Sequence, residues 1–136
     1  MFRTLLLAAA FSAVSLSPAA LADELTPEEA KAREIYANVV SIRSARGQAK
    51  MHEVVDYLVS EFKAVGFTDD DIMVTDYDSE GEPVQGLMVW YRADDPIAEP
   101  IVLLAHMDVV DALQEDWVRD PFTLTEEEGY FFGRGT

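Results

Sequence analysis

Cysteine is absent from the 136 residues. That excludes disulfides, thiolate zinc sites, a cysteine nucleophile and a lipid-modified N-terminal cysteine. Any metal must then be held by histidine, aspartate or glutamate. Basic residues are few: 10 Lys and Arg stand against 26 Asp and Glu, a formal net charge of -16. Such a chain repels nucleic acid and anionic membrane surfaces, so neither is an expected partner. No apolar run reaches the about 20 residues that a membrane span needs, and no repeat of solenoid period is present. What is there is ordinary for a globular protein. Apolar residues make up 49% and charged residues 26%, which excludes a disordered polar chain. The length has room for one domain.

Residues 1–22 read as an address. Arg3 and the free amine precede a mostly apolar stretch over residues 5–16, and Pro18 breaks it. Ala20 and Ala22 place small residues where a signal peptidase reads, and Asp23-Glu24 opens an acidic segment. This layout predicts a cleaved secretory signal peptide, cut after Ala22, and a periplasmic or secreted protein with no stable membrane anchor. Residues 23–136 form the domain proper.

That domain reads as two helices followed by strands. Thr26 is a helix cap, Pro27 suits the first helical position, and Glu28 and Glu29 face the positive dipole end. Ala32, Ile35, Val39 and Ile42 then recur at helical spacing, and residues 44–47 end the helix. A second helix is expected over residues 48–65, with Met51, Val54, Val55, Leu58, Phe62 and Val65 as its buried stripe and Gly66 as its stop. Short strands are expected over 72–75 and 87–91, with a loop over 78–83. Residues 101–105 (Ile-Val-Leu-Leu-Ala) are apolar without interruption, the pattern of a strand buried on both faces. Residues 122–124 and 130–132 flank a hairpin turn. The expected class is α/β, a three-layer sheet with covering helices. The chain stops within a glycine-rich turn, Gly133-Arg134-Gly135-Thr136, and the expectation is an N-terminal fragment of a longer protein.

The chemistry gathers at His106 and Asp108. In a strand, residues i and i+2 point to one face, and open α/β sheets bind ligands beyond the carboxyl ends of their strands. A histidine there can give one ring nitrogen to a metal while a carboxylate fixes its tautomer. The acids that follow (Asp111, Glu115, Asp116 and Asp120) would draw a cation. One histidine nevertheless falls short of the three protein ligands of a catalytic zinc.

The stretch LLAHMDVV, followed by EDWVRDPFTLTEEEGYFFGRGT, resembles the catalytic half of the M-twenty metallopeptidase family, which includes acetylornithine deacetylase, succinyl-diaminopimelate desuccinylase and glutamate carboxypeptidases. The residues that carry it are His106, Asp108, Val109, Val110, Trp117, Asp120, Pro121, Phe122, Tyr130, Gly133, Arg134 and Gly135. SIRSARGQ (41–48) and KAVGF (63–67) resemble the family's opening segment. The resemblance implies the N-terminal part of a zinc-exopeptidase catalytic domain. It implies His106 as the first ligand of one Zn2+ in a two-zinc site and Asp108 as the acid that clamps the His106 ring. It implies further ligands and a glutamate base beyond Thr136, and a dimerising lid domain, so a homodimer is expected of the whole protein. The implied reaction is hydrolysis of an amide bond beside a free carboxylate, in a peptide or N-acyl amino acid, with the fragment inactive by itself. The alternative is a non-catalytic secreted α/β module that keeps the scaffold. The other features read blandly. His52 is a surface histidine, residues 126–128 are a solvated hairpin tip, residues 69–71 are a turn, Trp117 and Phe122 pack the loop, and Arg134 pairs with a local acid.

Overall fold

The structure, a computed structural model, describes residues 25–136. The expected leader over 1–22 and its cut after Ala22 lie outside them.

Helix α1 (Pro27–Ser41) begins as its sequence dictates. The Thr26 hydroxyl accepts from the Glu29 amide at 3.2 Å, and the Glu29 carboxylate accepts from the Thr26 amide at 2.8 Å. This capping box satisfies two amides that a helix start leaves without partners. Those bonds to Thr26 also hold the Glu29 carboxyl below its ordinary range. The face that packs is rotated from the expected stripe. Val40 is buried, Ile35, Val39 and Ile42 are half-buried, and Ala32 is exposed. Tyr36 meets Phe131 edge to face at 5.6 Å, so Tyr36 and Val40, one turn apart, form the contact face.

Helix α2 (Met51–Ala64) buries Val54 and Val55 completely. It ends in a Schellman turn. The Gly66 amide donates to the Lys63 carbonyl at 3.1 Å, and the Phe67 amide to the Phe62 carbonyl at 3.2 Å. Gly66 takes the left-handed conformation this turn requires, with φ of 100°. The Phe62 and Phe67 rings close the turn at 5.3 Å. The turn swings Val65 out of the expected stripe, and it lies 74% exposed. The two helices are tied by Lys31 to Glu61 and by the Asn38 amide group donating to the Tyr57 hydroxyl.

Strands β1 (Ile72–Ser79) and β2 (Glu82–Val89) form an antiparallel hairpin from Ile72↔Val89 to Ser79↔Glu82. Residues 78–83, expected as a loop, are mostly strand. The turn proper is Glu80-Gly81, both with positive φ, the primed two-residue turn whose twist suits a hairpin. Strands β3 (Thr125–Glu127) and β4 (Tyr130–Phe132) repeat the device with Glu128-Gly129. The expected second hairpin is present, its first strand three residues later than the apolar pattern suggested.

The α/β reading holds in its coarse form. Among the described residues the strands make two separate two-stranded sheets, and residues 101–105 belong to neither. The expectation of a buried strand there is not met: Ile101, Val102, Leu103 and Leu104 are exposed. Apolar continuity marks a segment suited to burial, but burial needs strands on either side, and no described strand pairs with 101–105. The small core lies elsewhere, at Val40, Ser44, Ala45, Val54, Val55, Ala112 and Pro121. No described helix is long and apolar enough to cross a membrane.

Candidate active site

Two segments far apart in sequence meet at this core, the α1–α2 connection (43–48) and the segment 106–112. Ala45 and Val109 form a parallel bridge. The buried Ser44 hydroxyl donates to the Met107 carbonyl at 2.9 Å. Arg43 grips Asp111 with two parallel bonds, Nε to Oδ1 at 2.5 Å and Nη2 to Oδ2 at 2.7 Å, and Nη2 also reaches the Ala112 carbonyl. Gln48 donates to the same carboxylate at 3.2 Å. The Arg43 guanidinium lies over the Phe122 ring at 5.4 Å. Arg43 holds the Asp111 carboxyl below its ordinary range.

This seam carries His106 and Asp108. The His106 Nδ1 lies 3.0 Å from both the Asp108 carbonyl and its Oδ1. A carbonyl and a carboxylate can only accept, so Nδ1 carries the proton and donates. When the ring is neutral its lone pair is then on Nε2, for which no hydrogen-bond partner occurs among the described residues. The i, i+2 spacing thus brings the two side chains together, although the segment is irregular rather than a strand end. The ring is exposed, with 84% of the side chain accessible.

His106 and Asp108 line a cleft of about 500 Å³. Its walls are Ser44, Ala45, Arg46, Lys50 and Met51 on one side and Ser79, Glu82, Val84 and Gln85 of the first hairpin on another. Glu82 fixes that hairpin by accepting from the Gly47 amide at 2.9 Å.

An imidazole oriented by a carboxylate through Nδ1, on a residue that lines a cleft, suits one coordination position of zinc. Catalytic zinc takes three protein ligands, and among the described residues no three His, Asp or Glu side chains converge. The residues fit a metal at one position and not as a complete set.

The acids after Asp108 do not line the cleft. Asp111 is taken by Arg43. Asp120 closes its own turn, accepting from the Phe122 amide and the Thr123 hydroxyl. Glu115 and Asp116 sit in an exposed 3-10 turn (Gln114–Asp116). Arg134, expected to pair with an acid, instead lies over the Trp117 ring at 4.9 Å, and its amide donates to the Pro121 carbonyl. Gly135 has φ of 88°, and a Cβ there would stand 2.9 Å from the Val109 side chain. The glycine-rich turn therefore packs against the residue beside Asp108. Trp117 and Phe122 pack the loop as expected, and His52 is exposed on α2. Residues 126–128 are more than a solvated tip, since Glu126 pairs with Arg33 and Glu127 with Arg119.

Sequence reasoning missed Arg43 and Ser44. Their partners lie 68 and 63 residues away, and no local pattern announces them. The one available signal was an arginine and a serine in a short interhelical connection ahead of a histidine-bearing segment.

The chain shares 28% identity over 125 residues with the Cys-Gly metallodipeptidase DUG1 of Candida albicans, covering 84% of this chain and 25% of that protein. It is 44% identical over 45 residues to the N-fatty-acyl-amino acid synthase/hydrolase PM20D1 of Homo sapiens, covering 33% of this chain and 9% of the relative. It is 56% identical over 39 residues to a probable succinyl-diaminopimelate desuccinylase of Staphylococcus aureus, covering 27% and 10%. The chain thus spans a quarter or less of the length of these relatives. No solved structure matches. Residues 102–136, which hold His106, Asp108 and the Gly133-Arg134-Gly135 turn, match the model of Peptidase family M20/M25/M40.

Proposed function

We propose that the protein to which these residues belong is a zinc-dependent hydrolase that cleaves an amide or peptide bond beside a free carboxylate. His106 supplies a metal ligand through Nε2, and Asp108 is the residue that orients it. The observation that carries this reading is the contact of His106 Nδ1 with two acceptors on Asp108, each at 3.0 Å. A ring held this way keeps its Nε2 lone pair available and its plane fixed. When bound, zinc supplies Lewis-acid polarisation of a carbonyl and acidifies water. The cleft beside His106 has the volume for a dipeptide-sized or acylated amino acid. Relatives named as a dipeptidase and as an acyl-amino acid hydrolase support that substrate class.

The test is hydrolysis of dipeptides and N-acyl amino acids by the protein as its gene encodes it, before and after chelation. Chelation should abolish turnover, zinc should restore it, and His106→Ala should lower it by about 10³-fold or more. Full activity after chelation, or in His106→Ala, would overturn the reading. A non-catalytic α/β module would show no turnover with any substrate of either class. That reading draws on the single ligand position the described residues offer.

We propose further that the whole protein holds two zinc ions, contains a three-layer catalytic domain and pairs as a homodimer. We also propose that it is secreted or periplasmic, with residues 1–22 removed. N-terminal sequencing of exported protein should begin at Asp23, and a start at Met1 would refute the cleavage.

A further inference from the structure

We infer that Arg43 and Asp111 are a positioning pair, a latch that sets the geometry of His106 on Asp108. The inference rests on the proposed role of His106 but reads out on the ring itself. Among the described residues no strand pairs with 101–105, and the segment that bears His106 is tied to the fold at its other end. There the structure places a single dense seam. Ser44 holds the Met107 carbonyl, Ala45 bridges Val109, and Arg43 closes on Asp111 two residues further along.

Of these ties the Arg43–Asp111 pair has the strongest chemistry. It is bidentate and charged on both sides, and such forks are shorter and more directional than neutral bonds. Its guanidinium is fixed from three directions, by the carboxylate, the Ala112 carbonyl and the Phe122 ring. Its carboxylate is fixed in turn by Gln48 and by the Ala112 amide, which donates to Oδ1 at 2.9 Å. The pair therefore clamps the backbone at 111–112 to the connection at 43–48. That clamp holds Ser44 against Met107, the residue between His106 and Asp108. Release at Asp111 would free the 106–112 segment to peel from the connection, and the two-acceptor contact at His106 Nδ1 depends on the local bend there. Neither residue lines the cleft, so the pair acts through His106 and not on substrate.

The experiment is long-range proton–nitrogen NMR of the imidazole rings in the whole chain, recorded well above the ordinary imidazole pKa range. The chain has two histidines, so exposed His52 serves as an internal reference. In the unaltered protein His106 should appear as the Nδ1–H form. Arg43→Gln and Asp111→Asn should each lower the ratio of Nδ1–H to Nε2–H at His106 by about fivefold, with His52 unmoved. Arg43→Lys keeps the charge but not the fork and should move the ratio the same way by a smaller factor. Lys31→Gln, which removes an ion pair between the helices, should leave it unchanged. An unchanged ratio in a folded Arg43→Gln or Asp111→Asn protein would overturn the latch, as would an equal change in Lys31→Gln. Should Arg43→Gln not fold, Asp111→Asn and Arg43→Lys decide the matter, and wild-type ratios in both overturn it. Hydrolysis is measured separately. A protein without turnover but with the tautomer shift refutes the proposed function and keeps the latch. Zinc-dependent turnover without the shift does the reverse.

Discussion

The exposed apolar run offers the sharpest test of the architecture. Leu104 is 95% exposed and Val54 is 0% exposed, so the larger side chain should matter less. Burying a leucine fully stabilises by about 1.5–3 kcal/mol. Leu104 keeps one-twentieth of its surface from water, which leaves about 0.1 kcal/mol to lose in Leu104→Ser. Val54→Ala removes two methyl-sized groups from a closed core at about 0.8 kcal/mol each. The cavity left behind brings the cost to about 2–3 kcal/mol. Urea denaturation of the 136-residue chain, followed by tryptophan fluorescence, compares the two through their midpoints at constant m. Leu104→Ser should melt with the parent, and Val54→Ala well before it. Light scattering should also show less self-association in Leu104→Ser, because an unpaired apolar segment is a template for pairing. A cost above about 1 kcal/mol for Leu104→Ser would refute the reasoning. It would mean that 101–105 is buried as its sequence pattern suggests.

Further predictions follow from the local devices. Thr26→Ala removes one half of the capping box and should destabilise by about 1 kcal/mol in thermal melts, while Thr26→Asn should stay near the parent. Glu29, Asp71, Asp111 and Glu127 all have carboxyls held below their ordinary range, by Thr26, Thr68, Arg43 and Arg119 respectively. The folded protein therefore binds fewer protons than the unfolded chain as pH falls through the carboxylate range. Their stabilisation is complete above the unfolded pKa values and is lost as pH drops through the lower, folded ones. Stability should fall below about pH 4, and Asp111→Asn should flatten that acid limb in denaturation measured against pH. Gly135→Ala places a side chain at a left-handed φ and against Val109. It should cost about 1–2 kcal/mol, and a crystal structure should show Val109 displaced.

The parts of the fold legible in the sequence are those whose causes are local. The α1 start needs only Thr26, Pro27 and Glu29, and the α2 stop needs only Gly66 with Phe62 and Phe67. The 130–132 strand follows from an apolar cluster after Glu128-Gly129. The first hairpin was half seen, because Glu80-Gly81 is a tight turn whose flanking polar residues disguised Ser79 and Glu82 as loop. His106 and Asp108 were legible because i, i+2 spacing needs no partner from elsewhere. What stayed hidden depends on distant residues. Asp111 looked like one of several cation-attracting acids, and only the return of Arg43 across the fold gives it a fixed counterion. Val40 and Tyr36 were missed because the face a helix buries is chosen by its neighbour, here β4 and the Gly133 turn. The 101–105 run was misjudged for the same reason, since apolarity states a demand for cover and not its supply.

The anchoring of Met107 by Ser44 ties the order of the His106 segment to the order of synthesis. A short peptide copied from 101–112 would carry the imidazole and the carboxylate but neither the hydroxyl nor the guanidinium that organise them. During translation, α1 and α2 emerge well before Asp111. A ribosome-bound intermediate that ends before Asp111 has the receiving surface but not the clasp. The Ser44–Met107 and Arg43–Asp111 contacts form only when that long loop closes, so the seam around His106 waits until its two distant stretches meet.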